Sequence, residues 1–154
     1  GCGRAGLVAA ALGIGKVCIS DINEDALLFA KINILKNKLQ DVAEVRRIDV
    51  AKCDIPDRFS LILGAEILYI DHLYRPMVKF FKRCMAKDRD IGNKLPPARV
   101  VHASEHRRKI TPFLKKAEKE FGISRKQIGL REKAGKEDSD QRHLIDIIHL
   151  TSLR

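Results

Sequence analysis

Residues 1–6 read Gly1-Cys2-Gly3-Arg4-Ala5-Gly6 and form a G-x-G-x-x-G loop that runs directly into an apolar helix, Leu7 to Leu12. Further along, Asp21 closes the short apolar stretch of residues 17–20. Glycines let the backbone turn tightly and approach a ligand, and the helix N-terminus offers free N–H groups. A carboxylate at a strand end can accept hydrogen bonds from two ribose hydroxyls. This order of loop, helix, strand and carboxylate is typical of the nucleotide-binding half of a Rossmann-like unit.

The glycine loop of such a unit follows a strand, and the printed sequence has no strand before Gly1. In a doubly wound sheet the first strand is central, so its absence would leave both neighbouring strands with unpaired edges. We therefore expect that the chain is truncated at its N-terminal side and that the first strand of the sheet is missing.

The composition is that of one globular domain. The chain has 154 residues, of which 45% are hydrophobic and 32% charged, and no apolar run reaches the length of a membrane span. The four cysteines are scattered without a C-x-x-C pair, which favours reduced, intracellular thiols.

His102 and His106 are four residues apart where a strand is expected to run into a loop. They lack cysteine or glutamate at ligand spacing, so we predict no metal site and a surface or strand-end position for both.

The net charge of +10 favours an anionic partner, such as nucleic acid, a ribosome or an acidic protein face. A lysine-rich, solvated surface explains the same charge equally well. Aromatic residues make up only 5% of the chain, which argues against a stacking platform for single-stranded nucleic acid. We interpret the basic runs 107–109 and Lys115-Lys116 as a solvated helix face.

Helical and strand patterns alternate along the chain, which predicts an α/β fold. Asn23 is a plausible helix cap, and Pro76 suits the first turn of a helix that carries Met77, Phe80, Phe81 and Cys84 inward. The apolar run 59–65 has the pattern of a strand buried on both faces. Loops are expected at 87–97 and 133–140. The remaining predicted elements are helices at 5–12, from 24 onward and 111–121, the last ended by Gly122, and strands at 16–20, 43–48, 99–103 and 144–150.

The segments after Phe121 lack a helix between them, which predicts an antiparallel closing hairpin. The predicted fold is therefore one α/β domain over residues 1–154. It has a Rossmann-like, doubly wound, mostly parallel sheet with an antiparallel C-terminal hairpin, and its first strand is missing.

Three acidic residues, Asp21, Asp49 and Glu66, fall at the ends of three successive predicted strands. Ligands of open α/β sheets bind at the carboxyl ends of the strands. A single carboxylate there is commonly a solvated cap, but three in succession after a glycine loop favour a nucleotide-like ligand.

The segment 59–69, Phe-Ser-Leu-Ile-Leu-Gly-Ala-Glu-Ile-Leu-Tyr, makes a family resemblance specific. It resembles the F-D-L-I-L-G-A-D-V-L-Y segment of the Methyltransferase-16 family of protein lysine and histidine methyltransferases, which are S-adenosylmethionine-dependent methyltransferases of the seven-strand class. It includes that family's E/D-x-x-Y/F motif as Glu66 and Tyr69. The glycine loop, Ser20-Asp21 and the helix residues Asn33 and Asn37 also match.

The resemblance implies S-adenosylmethionine as cofactor and a role for each matching residue. Glu66 and Tyr69 would line the acceptor site, where the carboxylate orients the acceptor nitrogen and accepts its proton. Asp21 would hold the ribose diol and Asp49 would face the adenine amine. The implied cofactor-binding set is Gly1, Gly3, Gly6, Asp21, Ile22, Asp49, Val50, Gly64 and Ala65. Ser60 and Ala5 depart from residues that are common in the family.

The predicted function is therefore transfer of a methyl group to a lysine or histidine side chain of a protein substrate, in the cytoplasm or nucleus. An RNA or small-molecule methyltransferase remains an alternative because of the basic charge. A non-catalytic, methyltransferase-like interaction module is a second alternative. A nicotinamide-dependent oxidoreductase shares the glycine loop and Asp21, but it does not predict the segment from Gly64 to Tyr69.

Overall fold

The computed structural model describes residues 1–52, 55–87, 98–105, 110–130 and 143–153. The chain divides into two compact units, Gly1–Ile55 and Pro56–Arg154. Four predictions concern residues wholly or largely outside the described ones: His106, the basic run 107–109, and the loops at 87–97 (except Lys87) and 133–140. The organisation of residues 1–154 as one domain and the strand expected before Gly1 stay predictions.

The first unit is a small βα arrangement with two parallel strands. Its elements are α1 (Arg4–Ala11), β1 (Val17–Asp21), α2 (Glu24–Lys36) and β2 (Ala43–Arg47). β1 pairs with β2 in parallel from Val17↔Ala43 to Asp21↔Arg47. Apolar side chains from all four elements form one core, made of Ala10, Ile19, Ala30, Ile34 and Ala43, with Leu7, Val17, Leu39 and Val45 packed against it.

In this unit, residues that favour helix termini lie at the start of α2 and just after the end of α1. Asn23 caps α2, since its side-chain oxygen accepts a hydrogen bond of 3.1 Å from the N–H of Ala26. Gly13 follows the end of α1 with a φ of 69°, a left-handed conformation that glycine adopts without steric cost. Both predicted helices are confirmed, and their bounds lie within about one residue of the predicted ones.

The described residues of the second unit contain the strands β3 (Leu61–Ala65), β4 (Arg99–Glu105), β5 (Phe121–Leu130) and β6 (His143–Ser152). They form a four-stranded mixed sheet with strand order β3-β4-β6-β5. β3 is parallel to β4, whereas β6 is antiparallel to both β4 and β5. The antiparallel pairing of β5 with β6 confirms the predicted closing hairpin. The other described elements of this unit are a 3₁₀ turn (Asp71–Leu73), α3 (Tyr74–Cys84) and α4 (Thr111–Ala117).

The core of the second unit is aromatic and aliphatic. The rings of Tyr74 and Phe113 meet edge to face with centroids 5.7 Å apart. The inward residues predicted for the helix with Pro76 in its first turn are all buried in α3. Ile110, Val100, Ile148 and Leu150 are also fully or almost fully buried.

Two predictions for this unit are wrong. The helix that begins at Thr111 ends at Ala117 instead of Phe121, because the N–H of Glu120 turns back to the carbonyl of Ala117 at 2.9 Å. Phe121 and Gly122 then open β5, where the Phe121 ring is buried. The strand expected to be buried on both faces, β3, is only partly buried, since Leu63 is 41% exposed and Ala65 is also exposed.

The described helices, the longest of which has 13 residues, are all too short to cross a bilayer.

Candidate functional site

The glycine loop of the first unit is held between α1, β1 and α2. Gly3 has a φ of 77°, and a Cβ at this position would lie 2.9 Å from Cγ2 of Ile19. Asn33 on α2 donates a side-chain hydrogen bond of 3.2 Å to the carbonyl of Cys2. The loop conformation therefore depends on a left-handed glycine, on close packing against β1 and on an amide from α2.

Asp21, the last residue of β1, lies next to this loop. Its carboxylate accepts hydrogen bonds from the amino group of Gly1 and, at 3.0 Å, from the N–H of Asn23. Burial raises the pKa of this carboxyl, but the hydrogen bonds from Gly1, Asn23 and Ile22 and the positive charge of the Gly1 amino group together lower the pKa overall. A charged carboxylate at a strand end is an acceptor that suits a pair of hydroxyl donors.

The other predicted cofactor residues of this unit follow the same strand ends. Asp49 lies two residues beyond β2, and its carboxylate accepts the N–H of Ala51 at 2.9 Å. The carbonyl of Asp21 accepts the N–H of Ile48 at 3.1 Å, which joins the ends of the two strands. Ile22 is exposed and Val50 is half-buried. The first unit therefore brings Gly1 and Asp21 into contact and places Asp49 just beyond the neighbouring strand end.

The predicted acceptor residues lie in the second unit, in the segment that leaves β3. Glu66 follows the last residue of β3 and has a φ of 53°, an uncommon left-handed conformation for a residue with a side chain. Its N–H donates to the carbonyl of Ala103 on β4 at 2.9 Å. Ala65 is exposed beside it, and the Tyr69 side chain is 58% exposed. Such a backbone outlier at a strand end is a frequent feature of functional sites.

The next two residues of this segment are also fixed by hydrogen bonds. The N–H of Ile67 donates to Nε2 of His102 at 3.3 Å, and the hydroxyl of Tyr74 donates to the carbonyl of Leu68 at 3.3 Å. Three successive residues, 66 to 68, are thus bonded to β4 or α3. The Tyr69 side chain projects from a segment whose backbone is anchored.

Gly64 has a packing role within this unit. A Cβ at Gly64 would lie 2.5 Å from Cδ1 of Ile67 and 3.2 Å from Cδ2 of His102. The space that the absent side chain leaves is therefore filled by Ile67 and His102.

The predicted position of His102 is wrong. This residue was expected at the surface or at a strand end, but it lies within β4 and is 1% exposed. Burial lowers its pKa to about 4, against the opposing effect of the Glu66 charge. The alternation of Val100, His102 and Ser104 on one buried face of β4 was the signal in the sequence that could have located this histidine.

Comparison with known proteins agrees with these features. The model of the Methyltransferase-16 family, described as lysine methyltransferase, matches residues 1–121. None of the curated proteins searched matches the chain.

Several solved structures share the fold. The N-methyltransferase NodS from Bradyrhizobium japonicum, in complex with S-adenosyl-L-homocysteine, is 14% identical with a TM-score of 0.64, covering 97% of this chain and 74% of NodS. TrmN from Thermus thermophilus is 18% identical with a TM-score of 0.70, covering 99% of this chain but only 42% of TrmN. Precorrin-6y C5,15-methyltransferase from Geobacter metallireducens is 13% identical with a TM-score of 0.67, covering 99% of this chain and 77% of that protein.

At these identities the solved structures support the α/β methyltransferase fold and leave the substrate open. The family match extends over more than three quarters of the sequence and includes the glycine loop, Asp21 and the segment from Gly64 to Tyr69. The chain therefore belongs to the Methyltransferase-16 family of S-adenosylmethionine-dependent methyltransferases.

Proposed function

We propose that this chain transfers a methyl group from S-adenosylmethionine to the side-chain nitrogen of a lysine, or of a histidine, in a protein substrate. The observation that carries the proposal is the anchored segment from Glu66 to Tyr69. It places a half-buried carboxylate, Glu66, and an exposed aromatic ring, Tyr69, at the end of β3, the sheet end at which α/β proteins bind their ligands.

The side chains at the strand ends of the first unit fit the proposed cofactor. The Asp21 carboxylate offers acceptors to ribose hydroxyls, and Asp49 and Val50 would border the adenine ring. When bound, S-adenosylmethionine supplies an activated methyl group on a sulfonium.

The residues of the acceptor site have three tasks in this proposal. The acceptor nitrogen must carry a lone pair, so Glu66 would orient a neutral amine and accept the proton that the nitrogen loses on methylation. Tyr69 would pack beside the acceptor side chain and limit access of water. Ala65 has a small side chain next to Glu66, which would leave room for the acceptor. Alignment of the reacting atoms supplies most of the rate enhancement in such a site.

The partner is proposed to be a protein with an acidic surface near the target residue. The net charge of +10 would attract such a surface and would also attract RNA. A protein acceptor and an RNA acceptor must therefore be separated by experiment.

Calorimetry with S-adenosylmethionine and S-adenosylhomocysteine tests the cofactor site. The D21A variant should bind at least about tenfold more weakly, because it loses a charge-assisted hydrogen bond. D41A removes an exposed aspartate before β2 and serves as the matched control. Equal affinity of wild type and D21A would contradict the assigned role of Asp21.

Methyl-labelled S-adenosylmethionine added to a lysate tests the acceptor class. Label recovered as methyllysine or methylhistidine from wild type, and lost in E66Q but not in the exposed-site control E118Q, would support the proposal. Label in RNA would replace the protein acceptor by RNA. Absence of cofactor binding would favour the non-catalytic interaction module.

A further inference from the structure

The imidazole of His102 lies directly against the strand that leads into the acceptor segment. β3 and β4 pair in parallel with Gly64 opposite His102. A Cβ at Gly64 would lie only 3.2 Å from the imidazole carbon Cδ2. Glycine thus leaves the space that the ring occupies beside β3.

In the described part of the chain, the ring makes one hydrogen bond, through Nε2. This atom accepts the N–H of Ile67 at 3.3 Å, so the proton of the uncharged ring is on Nδ1. Nδ1 has no hydrogen-bond partner in the described part of the chain. A ring that accepts a backbone N–H can fix that backbone group.

The charge state of the ring suits this task. Burial keeps the pKa of His102 at about 4, so the imidazole is uncharged at neutral pH and Nε2 keeps its lone pair. A protonated ring would present N–H groups on both nitrogens and could not accept a hydrogen bond.

The backbone held by His102 lies between the two residues assigned to the acceptor site. Glu66 occupies a left-handed conformation that the surrounding contacts must maintain. The N–H of Glu66 is bonded to β4, and the carbonyl of Leu68 is bonded to Tyr74. Ile67 lies between these contacts, and its N–H depends on His102.

We propose that His102 is a positioning residue of the acceptor site, holding the backbone between Glu66 and Tyr69 through the Ile67 N–H. The inference rests on the proposed function, in which Glu66 and Tyr69 line that site. His102 is expected to act on methyl transfer through this backbone, without touching the acceptor.

Two substitutions at His102 separate positioning from packing. In H102Q, the side-chain amide oxygen can still accept the N–H of Ile67, whereas H102L fills a similar volume without an acceptor. H72Q changes an exposed histidine in the 3₁₀ turn and is the control. The assay is transfer of label from methyl-labelled S-adenosylmethionine to the protein fraction of a lysate.

The expected result is a selective loss in H102L. Its rate at saturating S-adenosylmethionine should fall about tenfold to a hundredfold, because misplaced catalytic groups lower the rate by such factors. The KM for S-adenosylmethionine should stay within about twofold of wild type, and H102Q should recover most of the rate. Equal rates in H102L and wild type would overturn the proposal, as would equal losses in H102L and H102Q.

Amide hydrogen exchange at Ile67 supplies a readout that needs no activity. The Ile67 N–H should exchange faster in H102L than in H102Q, with the β4–β6 amides equally protected in both variants. Equal exchange at Ile67 in the two variants would overturn the positioning role. If wild type labels no protein, the proposed function fails, while the exchange rates still decide whether His102 holds this backbone.

Discussion

Gly6 in α1 and Ile19 in β1 pack so closely that a Cβ at Gly6 would lie 2.6 Å from Cγ1 of Ile19. Ile19 is buried in the core of the first unit. The third glycine of the loop therefore sets the distance between the first helix and the strand that carries Asp21. Its role in the structure is helix–strand packing.

The G6A variant should be less stable than wild type. Overpacking costs about 1–3 kcal/mol, and the helix preference of alanine offsets at most about 1 kcal/mol of this. Urea denaturation should show the lower free energy of unfolding. G129A on β5 is the control, since an added Cβ there would lie 3.8 Å from Cδ2 of Leu144, an ordinary contact. Equal stability of G6A and wild type would contradict the close packing.

The N-cap of α2 offers a second test in the first unit. Asn23 accepts the N–H of Ala26, so N23A should lower the free energy of unfolding by about 1 kcal/mol. N23D keeps a capping oxygen and adds a negative charge at the positive end of the helix, so it should retain the stability of wild type. Thermal denaturation of the three proteins measures the difference, and an N23D variant as unstable as N23A would argue against capping.

Much of the fold was predictable from local patterns. The glycine loop, the cap at Asn23 and the inward face of α3 follow rules that act over a few residues, and the structure has them where the sequence predicts. The closing hairpin was predictable because no helical period separates its strands. The end of α4 was not, because burial of Phe121 in β5 depends on strand pairing with β6, far along the chain.

The candidate site was predictable as a set of residue types but not as a set of contacts. The strand-end positions of Asp21 and Glu66 follow from the sequence pattern. The burial of His102 and its bond to Ile67 do not, because they depend on the register of β3 against β4. From the sequence alone, a histidine in an apolar segment is compatible with a buried position within a strand and with an exposed position at its end. Only the pairing with the partner strand distinguishes the two positions.

An ion pair on the closing hairpin, in which the carboxylate is buried and the guanidinium side chain is 39% exposed, gives a further prediction. Asp146 is fully buried, and its two oxygens accept from Nε of Arg125 at 3.0 Å and from Nη2 at 2.7 Å. Gln127 donates to the same carboxylate at 3.0 Å. Asp146 raises the pKa of Arg125, which keeps the guanidinium charged. R125M should therefore lower the free energy of unfolding by about 1–3 kcal/mol, because it removes the charged partner of a buried carboxylate.

The matched control is an exposed pair in the same unit. Nζ of Lys82 lies 2.5 Å from Oε2 of Glu120, and the two side chains are 64% and 37% exposed. K82M should cost about 0–1 kcal/mol, because solvent screens exposed pairs. Denaturation of both variants measures the contrast. If R125M cost no more than K82M, burial would not govern the strength of the Arg125 pair.

The buried imidazole makes stability depend on pH in a defined window. His102 has a pKa of about 4 in the folded chain, against 6.5 for an ordinary histidine. Between these values the unfolded chain binds more protons at this residue than the folded chain, so its contribution is complete above about pH 6.5 and is lost as the pH falls toward 4. The shift corresponds to a loss of about 3 kcal/mol across the window.

Urea denaturation of wild type and H102Q at several pH values between 4 and 7 isolates this contribution, since other titrating groups are common to both proteins. The free energy of unfolding should fall more steeply in wild type than in H102Q as the pH is lowered, because the glutamine has no proton to bind. H72Q, which alters an exposed histidine, should follow the wild-type curve. Parallel curves for wild type and H102Q would mean that His102 is protonated equally in the folded and unfolded chains, which contradicts its burial against Gly64 and Ile67.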